Sequence, residues 1–164
     1  MKNQTTLRLW DSLIGVVAAC VLVLGIVHGA EAQKDPIKIG VLNAITGPLA
    51  VNGSEINEGI KLYWEDEMSN QVAGRAVRLI VEDSEGKPDV GLTKVRKLVE
   101  SDRVQLILGP VSSAVAVAIR DYLHERNVSL IIPPPTSNTL TTHKPSTTLF
   151  RSAMSSYQQE AAGG

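Results

Sequence analysis

From Gln33 onward, short β-rich runs alternate with stretches of helical periodicity, and Gly, Pro, Asn or Ser punctuates each change. This alternation predicts an α/β fold with a doubly wound parallel sheet. Parallel strands can be joined only by a crossover, and the crossover helix must lie on a sheet face. Ile37 to Leu42 is the first run. A loop from Thr46 to Gly53 follows, and then Ile56, Ile60, Tyr63, Trp64 and Met68 recur at three-to-four spacing, which predicts a helix with one face on the sheet. Asn52, with Glu55 three residues on, reads as the start of that helix. Val77 to Val81 is a second strand, and Val90, Val95, Leu98 and Val99 mark a second helix after Pro88. Val104 to Leu108 is a third strand, ending at Gly109-Pro110. Ser112-Ser113 opens a helix that stops near Asn127, and Val128 to Ile132 is a fourth strand. Thr147 to Arg151 is a further β-like run, and Ser155 to Ala162 looks like the beginning of another helix.

Ahead of this alternation, Leu13 to Val27 is apolar or Gly throughout except for Cys20, with Lys2 and Arg8 before it and Ala30-Glu31-Ala32 after it. This is the layout of a secretory signal peptide spanning residues 1–32, with the mature chain starting at Gln33. A membrane anchor is the alternative, but the run is shorter than the roughly 20 residues needed to cross the hydrocarbon core. Val17-Ala18-Ala19-Cys20 also resembles a bacterial lipoprotein box, although apolar residues continue past Cys20 where a lipoprotein turns polar. The expected location is the periplasm. Cleavage after Ala32 would remove the single Cys, so the 33–164 unit is expected to contain no disulfide. That unit is long enough for one core, yet its last helix start closes in Ala-Ala-Gly-Gly with nothing to pack against, which reads as an incomplete lobe.

Sixteen Lys and Arg stand against 17 Asp and Glu, a formal charge of -1. No global field draws nucleic acid, and nucleic-acid binding is not expected. Ligands of open α/β sheets sit outside the carboxyl ends of the strands, where helix N-termini offer free N–H groups. The loops after the first, third and fourth strands are therefore the places to look. Ser112 and Ser113 read either as N-caps or as a grip on a carboxylate, and both hold if one caps while the other binds. Thr136 reads as a turn residue or a second carboxylate donor. Pro133-Pro134-Pro135 has no N–H, so its carbonyls can only accept, which suits an ammonium. The nucleophile elbow, the P-loop and the dinucleotide fingerprint are all missing from the sequence. His124 and His143 lie nineteen residues apart without a Cys, so they read as solvated surface residues and no metal set or cofactor is expected. A hydrolase using Ser112 or Ser113 lacks a placed base. Glu82-Asp83 is expected to be a solvated turn with Ser84, Glu85 and Gly86.

Several segments occur together in order: Ile37 to Leu42 with Thr46-Gly47-Pro48, Asp83 with Pro88, Ile107-Leu108-Gly109-Pro110 with Ser112-Ser113, and Phe150-Arg151 leading to Tyr157-Gln158-Gln159. As a set, spanning Lys38 to Gln159, they resemble the periplasmic leucine/isoleucine/valine-binding proteins, the substrate-binding components of branched-chain amino-acid ABC transporters. The resemblance implies the first lobe of a two-lobe type I periplasmic binding protein, with the second lobe missing. It implies a non-enzymatic protein that traps a small amino acid or amide between lobes and presents it to the permease subunits of an ABC transporter. A periplasmic sensor feeding a signalling receptor shares the same fold. In the family the α-carboxylate is held by the residues at the positions of Ser113 and Thr136, and the ammonium meets the carbonyl at the position of Pro134. Asn52 lies near the ligand, where the family often has an aromatic residue. Pro134 and Pro135 replace smaller residues and remove N–H groups. A half-cleft leaves its polar groups in water, so the isolated lobe is expected to bind amino acids weakly or not at all.

Overall fold

The structure is a computed structural model that describes residues 35–133, 137–142 and 146–162. The expected signal peptide with Cys20 and Ala32, and the expected mature start at Gln33, lie outside the described residues, as do Pro134, Pro135, Thr136 and His143.

Six strands form one sheet in the order β2-β3-β1-β4-β5-β6. They are β1 (Ile37–Asn43), β2 (Gln71–Val72), β3 (Arg75–Asp83), β4 (Leu106–Leu108), β5 (Ser129–Ile132) and β6 (Leu149–Arg151). The connecting helices are α1 (Ala50–Leu62), α2 (Pro88–Arg96), α3 (Ser113–Glu125) and the single turn α4 (Thr139–Thr142), and α5 (Ser156–Ala162) follows β6. Tyr63–Glu67 and Lys97–Ser101 extend α1 and α2 as wider π-helical turns. Every pairing except one is parallel, as the sequence predicts. The exception is β2, an antiparallel edge strand joined to β3 through Ala73 and Gly74, both at positive φ. That geometry is the tight hairpin turn usually signalled by Asn-Gly. Ala-Gly carries the signal weakly, so the sequence did not reveal β2.

Alternation along the strands sorts the apolar residues onto two faces. Register aligns Ile80, Gly40, Ile107, Leu130 and Leu149 in one row across five strands. This row faces α2 and α3, and it joins Leu98, Val115, Ile119 and Leu123 in the buried core. Pro88 begins α2 after an extended Lys87, a position where its missing N–H costs nothing.

The helix α1 departs from expectation. It starts at Ala50 behind Leu49, with no side-chain cap, so Asn52 lies inside the first turn and does not begin the helix. Gly53 sets this boundary. A Cβ there would lie 1.9 Å from the Ala44 carbonyl oxygen, so only Gly lets the first turn rest on the backbone leaving β1. Gly53 is the only buried residue of α1, whereas Ile56 and Ile60 are half-buried and Tyr63 is exposed. The apolar face predicted for this helix is therefore only shallowly packed.

Candidate functional site

The carboxyl ends of β1, β4 and β5 share one edge of the sheet, and two helices begin beside it. At the end of β4, Gly109 has a positive φ, and a Cβ on it would meet the Leu42 carbonyl oxygen at 2.2 Å. Gly109 therefore allows the chain to pass close over β1 before the cis peptide to Pro110. The chain then turns into α3, and the two serines divide their roles. Ser112 is buried with extended backbone, and its Oγ accepts the Val115 N–H at 3.4 Å, the geometry of an N-cap. Ser113 is half-exposed, and its hydroxyl has no hydrogen-bond partner among the described residues. A 13-residue helix thus presents a free hydroxyl at its positive end, together with first-turn N–H groups that have no partner in the helix.

Asn52 stands exposed in the first turn of α1 at the same edge. The loop before it is held by Asp83. Asp83 Oδ1 accepts N–H groups from Ile45 and Glu85, both at 2.8 Å, and Thr46 Oγ1 donates to Oδ2 at 2.6 Å. Partial burial works to raise the Asp83 pKa, but the Thr46 hydroxyl and the Glu85, Ile45 and Thr46 N–H groups outweigh it and hold the carboxyl below its ordinary range. Glu82 points to the opposite face, where it pairs with Lys94 at 2.9 Å and with Lys97. Burial pushes its pKa up, and the Lys97 and Lys94 ammonium groups bring it below the ordinary value. Glu82-Asp83 is therefore not the solvated turn expected from the sequence. It is a built pair of anchors, one for the first loop and one for α2, and Ser84 beside it is fully buried. Deeper in, Asn43 Nδ2 donates to Asn57 Oδ1 at 2.7 Å, tying the end of β1 to α1.

Two arginines hold the chain just after Pro134, Pro135 and Thr136. Buried Arg120 of α3 donates to the Thr139 carbonyl at 3.1 Å and pairs with Asp121, and Arg151 of β6 donates to the Ser137 carbonyl. Sequence reasoning missed Asp83, Arg120 and Arg151 as organisers. Asp83 and Arg151 stand among the segments of the family resemblance, but nothing there shows that they anchor loops. His124 is exposed and within 3.1 Å of the Ser146 hydroxyl, in keeping with a surface residue.

This edge has a donor-rich helix start at a crossover between parallel strands, and the comparisons with known proteins agree with it. A family model described as Periplasmic binding protein matches residues 36–164. The chain belongs to this family. Over 122 residues it is 32% identical to a Leu/Ile/Val-binding protein of Rhizobium johnstonii, covering 73% of this chain and 32% of that one. A solved ABC transporter substrate-binding protein from Sphaerobacter thermophilus superposes with a TM-score of 0.70 at 37% identity, over 78% of this chain and 37% of that one. A solute-binding protein from Rhodopseudomonas palustris in complex with benzoate gives a TM-score of 0.70 at 25% identity, over 75% and 34% of the two chains. The chain thus spans about a third of the length of the relatives it matches. The fold of this periplasmic binding protein chain matches the type I arrangement that the family resemblance implies. Among its described residues, no helix is long and apolar enough to cross a membrane.

Proposed function

We propose that this chain supplies one wall of the cleft of a periplasmic substrate-binding component of an ABC importer, with residues 33–164 as its N-terminal lobe behind a signal peptide. Its solute is a branched-chain or related amino acid, or a small amide. Ser113 and the α3 N-terminus take the carboxylate, Thr136 adds a second hydroxyl, and the Pro134 and Pro135 carbonyls face the ammonium. Asn52 contacts the side-chain end of the solute. The protein works by binding and release to permease subunits, without catalysis.

The observation that carries this reading is the division of labour at the α3 start, where Ser112 caps the helix and Ser113 keeps its hydroxyl free. A hydroxyl and N–H groups at a helix N-terminus suit a carboxylate. The benzoate complex of the Rhodopseudomonas palustris relative involves a ligand with a carboxylate of the same kind.

The test is an NMR titration of the chain with leucine and with benzoate at millimolar concentration, the range in which half a cleft binds. Shifts centred on the Ser113 and Ala114 amides, lost in Ser113→Ala, are expected. Micromolar saturation without a second lobe, or shifts that Ser113→Ala leaves unchanged, would overturn the reading.

A further inference from the structure

The segments that build the candidate edge meet at one buried side chain. Asn43, the last residue of β1, is fully buried. Its Nδ2 donates to Asn57 Oδ1 of α1 at 2.7 Å, and its backbone carbonyl accepts the N–H of buried Ser84, just after β3, at 2.8 Å. The turn into α3 lies against the same group. A Cβ on Gly109 would stand 2.9 Å from Asn43 Oδ1, so the backbone that leads to Ser112 and Ser113 rests on the Asn43 carboxamide. The next residue, Ala44, carries the carbonyl that receives Gly53. Register sets Asp83, which holds the first loop, beside Asn43 on β3.

Stability alone gives no reason for an amide here. Oδ1 is buried and accepts no hydrogen bond from a described residue. Folding takes such an acceptor out of water without a replacement partner, a loss that an apolar side chain of similar bulk avoids. Ile39, Val41 and Leu42 of the same strand are apolar and buried. A polar group kept in a core against that preference is expected where geometry serves function. What the amide supplies is direction. The helix α1 buries only Gly53, and among the described residues the Nδ2 bond to Asn57 is the side-chain hydrogen bond that fixes it to the sheet.

We propose that Asn43 is a positioning residue of the ligand site. It holds α1, which carries Asn52, and the start of α3, which carries Ser113, at one fixed spacing. The inference rests on the reading of this edge as the site that receives the solute. Because the side chain is enclosed, it acts through the two helices and does not touch the solute. The spacing matters because the polar groups that grip a small ligand act only over hydrogen-bond distances.

Hydrogen exchange, thermal melting and the NMR titration, each on the full chain, test this with Asn43→Val and Asn57→Ala. Asn57 is half-buried on α1, so its variant folds even if the buried position resists change. Both variants are expected to melt within a few degrees of wild type. In Asn43→Val the Gly53 and Gly109 amides, bonded to the Leu49 and Ile131 carbonyls, exchange roughly tenfold faster, while that of buried Val95 in α2 keeps its rate. In Asn57→Ala the Gly53 amide alone speeds up. Exchange needs no solute and decides the positioning role by itself, so a Gly53 amide as slow in both variants as in wild type would overturn the proposal. A melting temperature that falls together with faster exchange at Val95 would also overturn it, as the mark of a residue that serves only global stability. The titration reads the site separately. At equal concentrations of leucine or benzoate, the Ser113 amide shift should be about threefold smaller in Asn43→Val, and a shift of wild-type size would overturn the positioning role while leaving the site standing.

Discussion

Asp83 and Ile45 lie 38 residues apart in the chain, and the Ile45 N–H donates to Asp83 Oδ1 at 2.8 Å. The contact exists because β3 pairs with β1 in a register that places Asp83 beside Asn43. One carboxylate at a strand end thereby ties down the loop leading into α1, and with it the position of Asn52.

Asp83→Asn is expected to destabilise the chain by roughly 1.5–3 kcal/mol, the usual worth of hydrogen bonds to a charged acceptor. Because the folded-state pKa of Asp83 lies below its ordinary value of 3.8, its stabilisation is complete above that value and is lost as pH falls through the lower folded value. Urea unfolding of wild type and variant across the acid range checks this. The two stabilities should converge at low pH, and a constant difference would contradict the account.

Gly53→Ala should cost about 1–3 kcal/mol, since the added methyl meets backbone that cannot step aside. Gly59 lies six residues further along the same helix with nothing near its Cβ position. Gly59→Ala should therefore stabilise by about 0.5–1 kcal/mol through helix propensity alone. Thermal melts of the pair separate the contact of α1 with Ala44 from any general effect of removing a helical glycine.

The two serines should separate stability from binding. Ser112→Ala removes the cap and should cost about 1 kcal/mol, whereas Ser113→Ala should stay within about 0.5 kcal/mol of wild type, as exposed substitutions do. In the ligand titration the order reverses, with Ser113→Ala the more damaging change. Equal stability losses in the two variants would argue against the division of roles.

Arg120→Met should release the Thr139 carbonyl and leave Asp121 without this partner, at a cost of about 1–3 kcal/mol. Hydrogen exchange is the sharper measurement. Amides in Thr139–Thr142 should exchange faster, while those of β1 should change only as much as global stability requires.

The sequence by itself determined the alternation of β1, β3, β4 and β5 with helices, and the start of α3 at Ser112. These features are written in local windows. Apolar residues repeat every two or three to four positions, and a capping hydroxyl acts on an N–H three residues away. It pointed to the carboxyl edge as the candidate site but left open which of Ser112 and Ser113 caps and which binds, and only the family resemblance singled out Ser113. It misplaced the start of α1, because Asn52 and Glu55 imitate a capping pair while the boundary is set by Gly53 resting on Ala44. It concealed β2, whose turn lacks the usual residues, and it treated Glu82-Asp83 as solvent-facing. Only the tertiary structure decided which strands became neighbours. Strand order is what brings Asp83 to Ile45, Arg151 to the Ser137 carbonyl, and Val81 into one row with Phe150. Those relationships join residues far apart in the chain, and no local periodicity encodes the register that aligns them.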